Sequence, residues 1–90
     1  MKPILLELNQ ITEVVMVELR GHVVVDKVMI NLNELSHFHP YSIVATDLYG
    51  TKLYLHNSII EVVEPYDKIK AAVAHYQLYP ANYQPPKNNI

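Results

Sequence analysis

The sequence predicts an α+β domain, mostly antiparallel β: four or five strands in a curled sheet or small open barrel, with one C-terminal helix. Three observations predict it. Several short stretches alternate apolar and polar side chains and are rich in β-branched residues, the pattern of strands with one buried face. Two segments, VELRGHVVV (17–25) and TDLYGTKLY (46–54), align with Gly21 and Gly50 in register, as two similar hairpins would. A run with apolar residues at helical spacing, PYDKIKAAVAHYQLY (65–79), follows the strands.

In TEVVMVELRG (12–21), Val15, Val17 and Leu19 point one way and Val14, Met16 and Glu18 the other. Arg20-Gly21 reads as a tight turn, because glycine adopts positive φ at little cost. HVVVDKVMINL (22–32) resumes the strand pattern, with Val28, Ile30 and Leu32 on one side and Lys27, Met29 and Asn31 on the other. Residues 33–42 read as the connection between hairpins. SIVATDLYG (42–50) reads as a strand ending in a second glycine turn at Tyr49-Gly50. TKLYLHN (51–57) then places Leu53 and Leu55 inward and Lys52, Tyr54 and His56 outward.

SIIEVVEP (58–65) carries two signals. Ser58 and Glu61 have the spacing of a helix capping box, whereas four β-branched residues in five positions favour a strand. The strand is the better reading. Pro65 suits the first turn of the helix that follows. Ile69, Ala72, Val73 and Tyr76 form the stripe that faces the sheet, and Ala71, Ala74 and Leu78 make the reverse side partly apolar. The expectation is one domain over 1–79 and a flexible Pro/Asn-rich tail over 80–90.

With 90 residues, half of them hydrophobic, the chain buries only about 60–65% of its unfolded surface. A small core and a large apolar content together favour covering some of that surface with a second copy. Seven basic and nine acidic residues give a net charge of −2, a poor footprint for nucleic acid. The absence of cysteine excludes disulfides and thiolate zinc sites. No apolar run approaches the ~20 residues of a membrane span, and MKPILLELNQ lacks signal-peptide features. A soluble, cytoplasmic protein is expected.

LSHFHPYS (35–42) is the segment richest in possible chemistry. If extended, it places His37 and His39 on one face, a workable spacing for two metal ligands. A third ligand would have to come from His22, His56 or Asp47, and no spacing requires it. The segment reads instead as a loop, in which Pro40 removes a backbone donor and Phe38 plugs the edge of the core. The chain has no G-x-S-x-G, no glycine-rich phosphate loop and no H-E-x-x-H. No cofactor, no metal and no catalysis are therefore expected; a small metal-dependent enzyme using His37 and His39 is the alternative.

Tyr66, Tyr76, Tyr79 and Tyr83 gather towards the C-terminus, and tyrosine is common at interfaces. The favoured function is a non-catalytic interaction module, a homodimer or higher homo-oligomer open to a further protein partner. Its contact residues are Ala71, Ala74, Leu78 and Tyr79.

VELRG, NLNEL, DLYGTKLYL and SIIEVVE, within residues 14–64, together resemble the small flagellar FlbD-type proteins. That resemblance implies paired hairpins and no defined chemistry. DKVMINL and YLHNSIIEVVE resemble parts of the two motifs of Sm-like RNA-binding proteins of the Hfq type, with one extra residue between Met29 and Asn31. That resemblance implies RNA contacts at Asn31 and His56.

Overall fold

A computed structural model describes residues 3–78. Five strands, β1 (Leu5–Val17), β2 (Arg20–Asn31), β3 (Leu35–Ser42), β4 (Tyr49–Leu55) and β5 (Ile59–Val62), precede the helix α1 (Tyr66–Leu78). They form one antiparallel sheet in the order β2-β1-β5-β4-β3, which does not close into a barrel. The α+β class expected from the alternation is what the chain adopts.

The long β1–β2 ladder begins at Leu5↔Asn31 and ends at Val17↔Arg20, with a bulge between Ile11 and Glu13. The Thr12 hydroxyl at this bulge donates to the Val24 carbonyl at 3.2 Å. Proximal to it, Leu8 and Ile30 enter the core with Leu53, Ile60, Val62 and Ile69; Val28, Phe38, Leu55 and Val73 pack around them. The inward faces assigned to Val28 and Ile30, to Leu53 and Leu55, and to Ile69 and Val73 are the observed ones. The strand reading of SIIEVVEP also holds, as β5.

Two glycine turns do not. No glycine has positive φ. Gly21 and Gly50 are each the second residue of a strand, paired with Met16 and Tyr41. The turns lie just before them, at Glu18-Leu19 and across residues 43–48, so SIVATDLYG is mostly turn rather than strand. The physical reason for each glycine is close approach. A Cβ on Gly21 would stand 2.9 Å from the Ala45 carbonyl oxygen, and one on Gly50 would collide with the Val62 carbonyl oxygen. Gly21 N–H donates to that Ala45 oxygen at 2.8 Å, tying the hairpin tip to the far end of β3.

The connection expected over 33–42 is also corrected. Leu32–Glu34 is a 3-10 turn, and residues 35–42 form β3, which pairs with β4 from Leu35↔Leu55 to Ser42↔Tyr49. Pro40 is tolerated because β3 is an edge strand, where a missing N–H need not interrupt a ladder.

The β1–β5 ladder is short, reduced to Gln10↔Val62 among the described residues. Side chains reinforce it. The Glu64 carboxylate accepts the Asn9 backbone N–H, 3.1 Å from each oxygen, and Asn9 Nδ2 at 2.9 Å. The Val63 N–H donates to the Asn9 carbonyl at 3.1 Å, and the Thr51 hydroxyl to the Glu64 carbonyl at 2.8 Å. Pro65 then opens α1, which lays Ile69 and Val73 on the sheet and leaves Ala71 and Ala74 exposed. The Leu78 side chain, Tyr79, Tyr83 and the tail expected over 80–90 lie outside the described residues.

Candidate functional site

Three surfaces merit functional reading. The first is the outer face of β3 and β4. Register places His37 opposite Tyr54 and His39 opposite Lys52, so these four share a face. The His37 ring stacks on Tyr54 with centroids 4.1 Å apart and planes 12° apart, and its Nδ1 lies 3.1 Å from the Ser36 hydroxyl. His39 Nδ1 lies 3.0 Å from the Pro40 carbonyl, to which it can only donate, and its Nε2 is 3.3 Å from the Tyr54 hydroxyl. Both nitrogens of His39 are thus engaged within the protein.

Of the other ligands considered, His22 and Asp47 are placed apart and His56 is near His37. His22 and Asp47 border the gap between the hairpin tip and the β3–β4 turn. His56 shares a shallow depression with Ser36 and His37. Among the described residues no three His, Asp or Glu side chains gather closely enough to hold a metal ion.

Tyr41, two residues beyond His39, has its phenol pushed up to about 12, first by burial and then by the nearby charge of Glu61. A folded-state value above the ordinary 10 means that the native state holds this proton longer than the unfolded chain does. The associated stability is fully present below pH 10 and is lost as pH rises through about 12. We expect one tyrosine to ionise late in an absorbance titration. We also expect a Tyr41→Phe protein to lose less stability over that alkaline window than the wild type. Identical alkaline unfolding profiles for the two would contradict this.

The second surface is the tip of the β1–β2 hairpin. Glu18 and Leu19 form its two-residue turn with φ of 48° and 68°. Loops with positive φ at both positions strongly favour Asn-Gly. A leucine there carries strain on the order of 1 kcal/mol or more, and Leu19 is 93% exposed. Val15, Met16 and Val17 below it on β1, and Val24 and Val25 on β2, are 38–53% exposed.

The third surface is a cleft of about 170 Å³ between the start of β3 and α1. Ile4, Leu32, Leu35, Phe38, Val73 and Tyr76 supply its apolar walls, and Asn33 and Ser36 give it a polar side. Phe38 is held there by its contact with Tyr66, ring centroids 5.3 Å apart.

Of the residues singled out from the sequence, Ala71 and Ala74 lie exposed on α1, the helix that forms one wall of the cleft. Asn31 is engaged structurally: its side-chain oxygen accepts the Asn33 N–H at 3.0 Å and the Ile4 N–H at 3.3 Å, capping the 3-10 turn. His56 lies at the β4–β5 turn, in the depression that it shares with Ser36 and His37. Sequence reasoning missed Leu19 and the cleft. Glu-Leu between two apolar strands, with neither Asn nor Gly at the turn, was the available signal for the first. The cleft joins residues from 4 to 76 and has no local signal. The chain matches no protein-family model, and no curated protein or solved structure is significantly similar to it.

Proposed function

We propose that this chain is a non-catalytic interaction module that works as a homo-oligomer. The observation that carries the reading is the apolar β1–β2 hairpin arm, ending in a strained, exposed Leu19. Register puts Val15, Val17 and Val24 on one face of the arm and Met16 and Val25 on the other, so apolar side chains are exposed on both sides of it, and exposed apolar surface supports an interaction role. Strain at a non-glycine turn is kept where the side chain has a use. The exposed small residues of α1, Ala71 and Ala74, add a second side on which another backbone can approach, with Leu78 and Tyr79 expected to continue it.

The competing classes draw less support. The Sm-like reading needs Asn31 free for a base, and its side-chain oxygen already accepts two backbone N–H groups. An enzyme using His37 and His39 needs a third partner that the described residues do not bring to them. Light scattering coupled to size exclusion tests the proposal. At micromolar concentration the mass should be a multiple of the 10.4 kDa chain. A monomer across that range refutes it, and salt-sensitive retention of single-stranded RNA would favour the nucleic-acid reading instead.

A further inference from the structure

The exposed knob and the partly apolar cleft are complementary, and they stand near opposite ends of β3. The hairpin tip is fixed to the far end of β3 by the Gly21–Ala45 hydrogen bond. The cleft is built on Leu35 and Phe38 at the start of β3. The length of β3 separates them, roughly 25 Å at 3.3 Å per residue, so Leu19 cannot enter the cleft of its own chain.

In size the two match. An apolar cavity of about 150 Å³ accepts a benzene-sized body; the cleft of about 170 Å³ therefore has room for the isobutyl group of a leucine. Their charges match as well. Leu19 is flanked by Glu18 on one side and Arg20 on the other, both exposed. The cleft is flanked by exposed Lys70, one helical turn before Val73, and by exposed Glu34, next to Leu35. The knob thus has one charge of each sign beside it in the chain, and so do the residues that line the socket, which allows opposite charges to pair around the contact.

We infer that Leu19 of one copy docks in the Leu35/Phe38/Val73/Tyr76 cleft of a second copy, reciprocally, in a two-fold homodimer. Knob and socket at opposite ends of β3 allow two antiparallel chains to make both contacts at once, and the reciprocal arrangement closes the assembly. The inference rests on the homo-oligomer reading and specifies its contact.

The test uses two variants of the full chain, at a surface turn and at a helix position that both borders the cleft and packs on the core. Glu18→Asn/Leu19→Gly removes the knob and gives the turn its preferred residues. Val73→Phe fills the socket from within, adding bulk where a cavity already exists. Wild type should have twice the 10.4 kDa chain mass. Each variant should dissociate with a dimer constant raised on the order of tenfold or more, as for a buried anchor. Circular dichroism should show both still folded. Mixing the two should give a heterodimer tighter than either variant alone and weaker than wild type, because one of the two reciprocal contacts is then intact. A dimer indifferent to Val73→Phe means that the cleft takes some other occupant, and overturns the inference. A dimer unaffected by either change overturns it while leaving the homo-oligomer reading standing. A monomeric wild type overturns both.

Discussion

Gly50→Ala is expected to destabilise the protein by about 3 kcal/mol, at the upper end of the usual cost of overpacking. For a domain of this length that lowers the melting temperature by roughly 12–24 °C. The cause is contact and not conformation. Gly50 has ordinary negative φ, so alanine is free to adopt its backbone angles. It sits in β4 where that strand lies against β5, and its Cβ would collide with the Val62 carbonyl oxygen, with Ile43 Cδ1 a further 3.4 Å neighbour. Val62 is fully buried and Ile43 nearly so, so neither can retreat without opening the core. Gly21 provides the contrast. Its Cβ would meet the Ala45 and Val44 carbonyl oxygens at 2.9 and 3.1 Å and a Val14 methyl at 2.9 Å. These approaches are less close than the one at Gly50, and one of the three neighbours is a side-chain methyl, so Gly21→Ala should cost less, about 1–2 kcal/mol. Urea unfolding of the two variants side by side measures the difference. Equal losses would mean that the β4–β5 approach is not what requires Gly50.

The glycines also show how far the sequence could be read. The repeat that aligns them is real in the fold: Gly21 and Gly50 are both second residues of the returning strand of a hairpin. Their spacing was legible, but their role was not, because a glycine needed for close approach looks the same in sequence as one needed for positive φ. The two glycines therefore mark the strand that follows each turn, and the turns themselves lie before them, at 18–19 and across 43–48. The strained Glu18-Leu19 turn was missed since neither residue favours positive φ, which is also what makes it informative.

Alternation was legible wherever one face of a strand is buried, as at Val28 and Ile30 or at Leu53 and Leu55. It failed in residues 35–42, where Pro40 and two histidines suggested a loop. β3 is an edge strand whose outer face is polar, and edges tolerate proline. The apolar excess of the composition appears in the fold as exposed apolar side chains on the hairpin arm. The particular surfaces described here, a hairpin tip and a cleft joining residues 4 to 76, arise only from tertiary placement.

Glu64→Leu should be as damaging as the Gly50 change, for a different reason. The β1–β2 hairpin is joined to the β3–β4–β5 meander mainly through the β1–β5 seam, whose backbone ladder is short. Glu64 reinforces that seam from one side, only 7% exposed, by accepting both the backbone N–H and the side-chain amide of Asn9. Hydrogen bonds to a charged acceptor are each worth about 1.5–3 kcal/mol, and a buried donor left without a partner costs about 1–3 kcal/mol. Leucine removes the acceptor and strands the Asn9 N–H. The expected loss is about 3 kcal/mol, close to that for breaking a buried network by deleting one member. Glu64→Gln keeps one acceptor oxygen and a similar volume, and should lose about 1 kcal/mol. The Asn9 N–H is the direct reporter. In native-state hydrogen exchange its protection should fall in Glu64→Leu by more than that of core amides in β4, because the seam opens before the meander does. If exchange accelerates uniformly instead, the two halves unfold as one unit and the clasp has no separate role. If Glu64→Leu is as stable as wild type, burial of an apolar side chain at this position fully offsets the lost hydrogen bonds, and the seam is held by its backbone contacts alone.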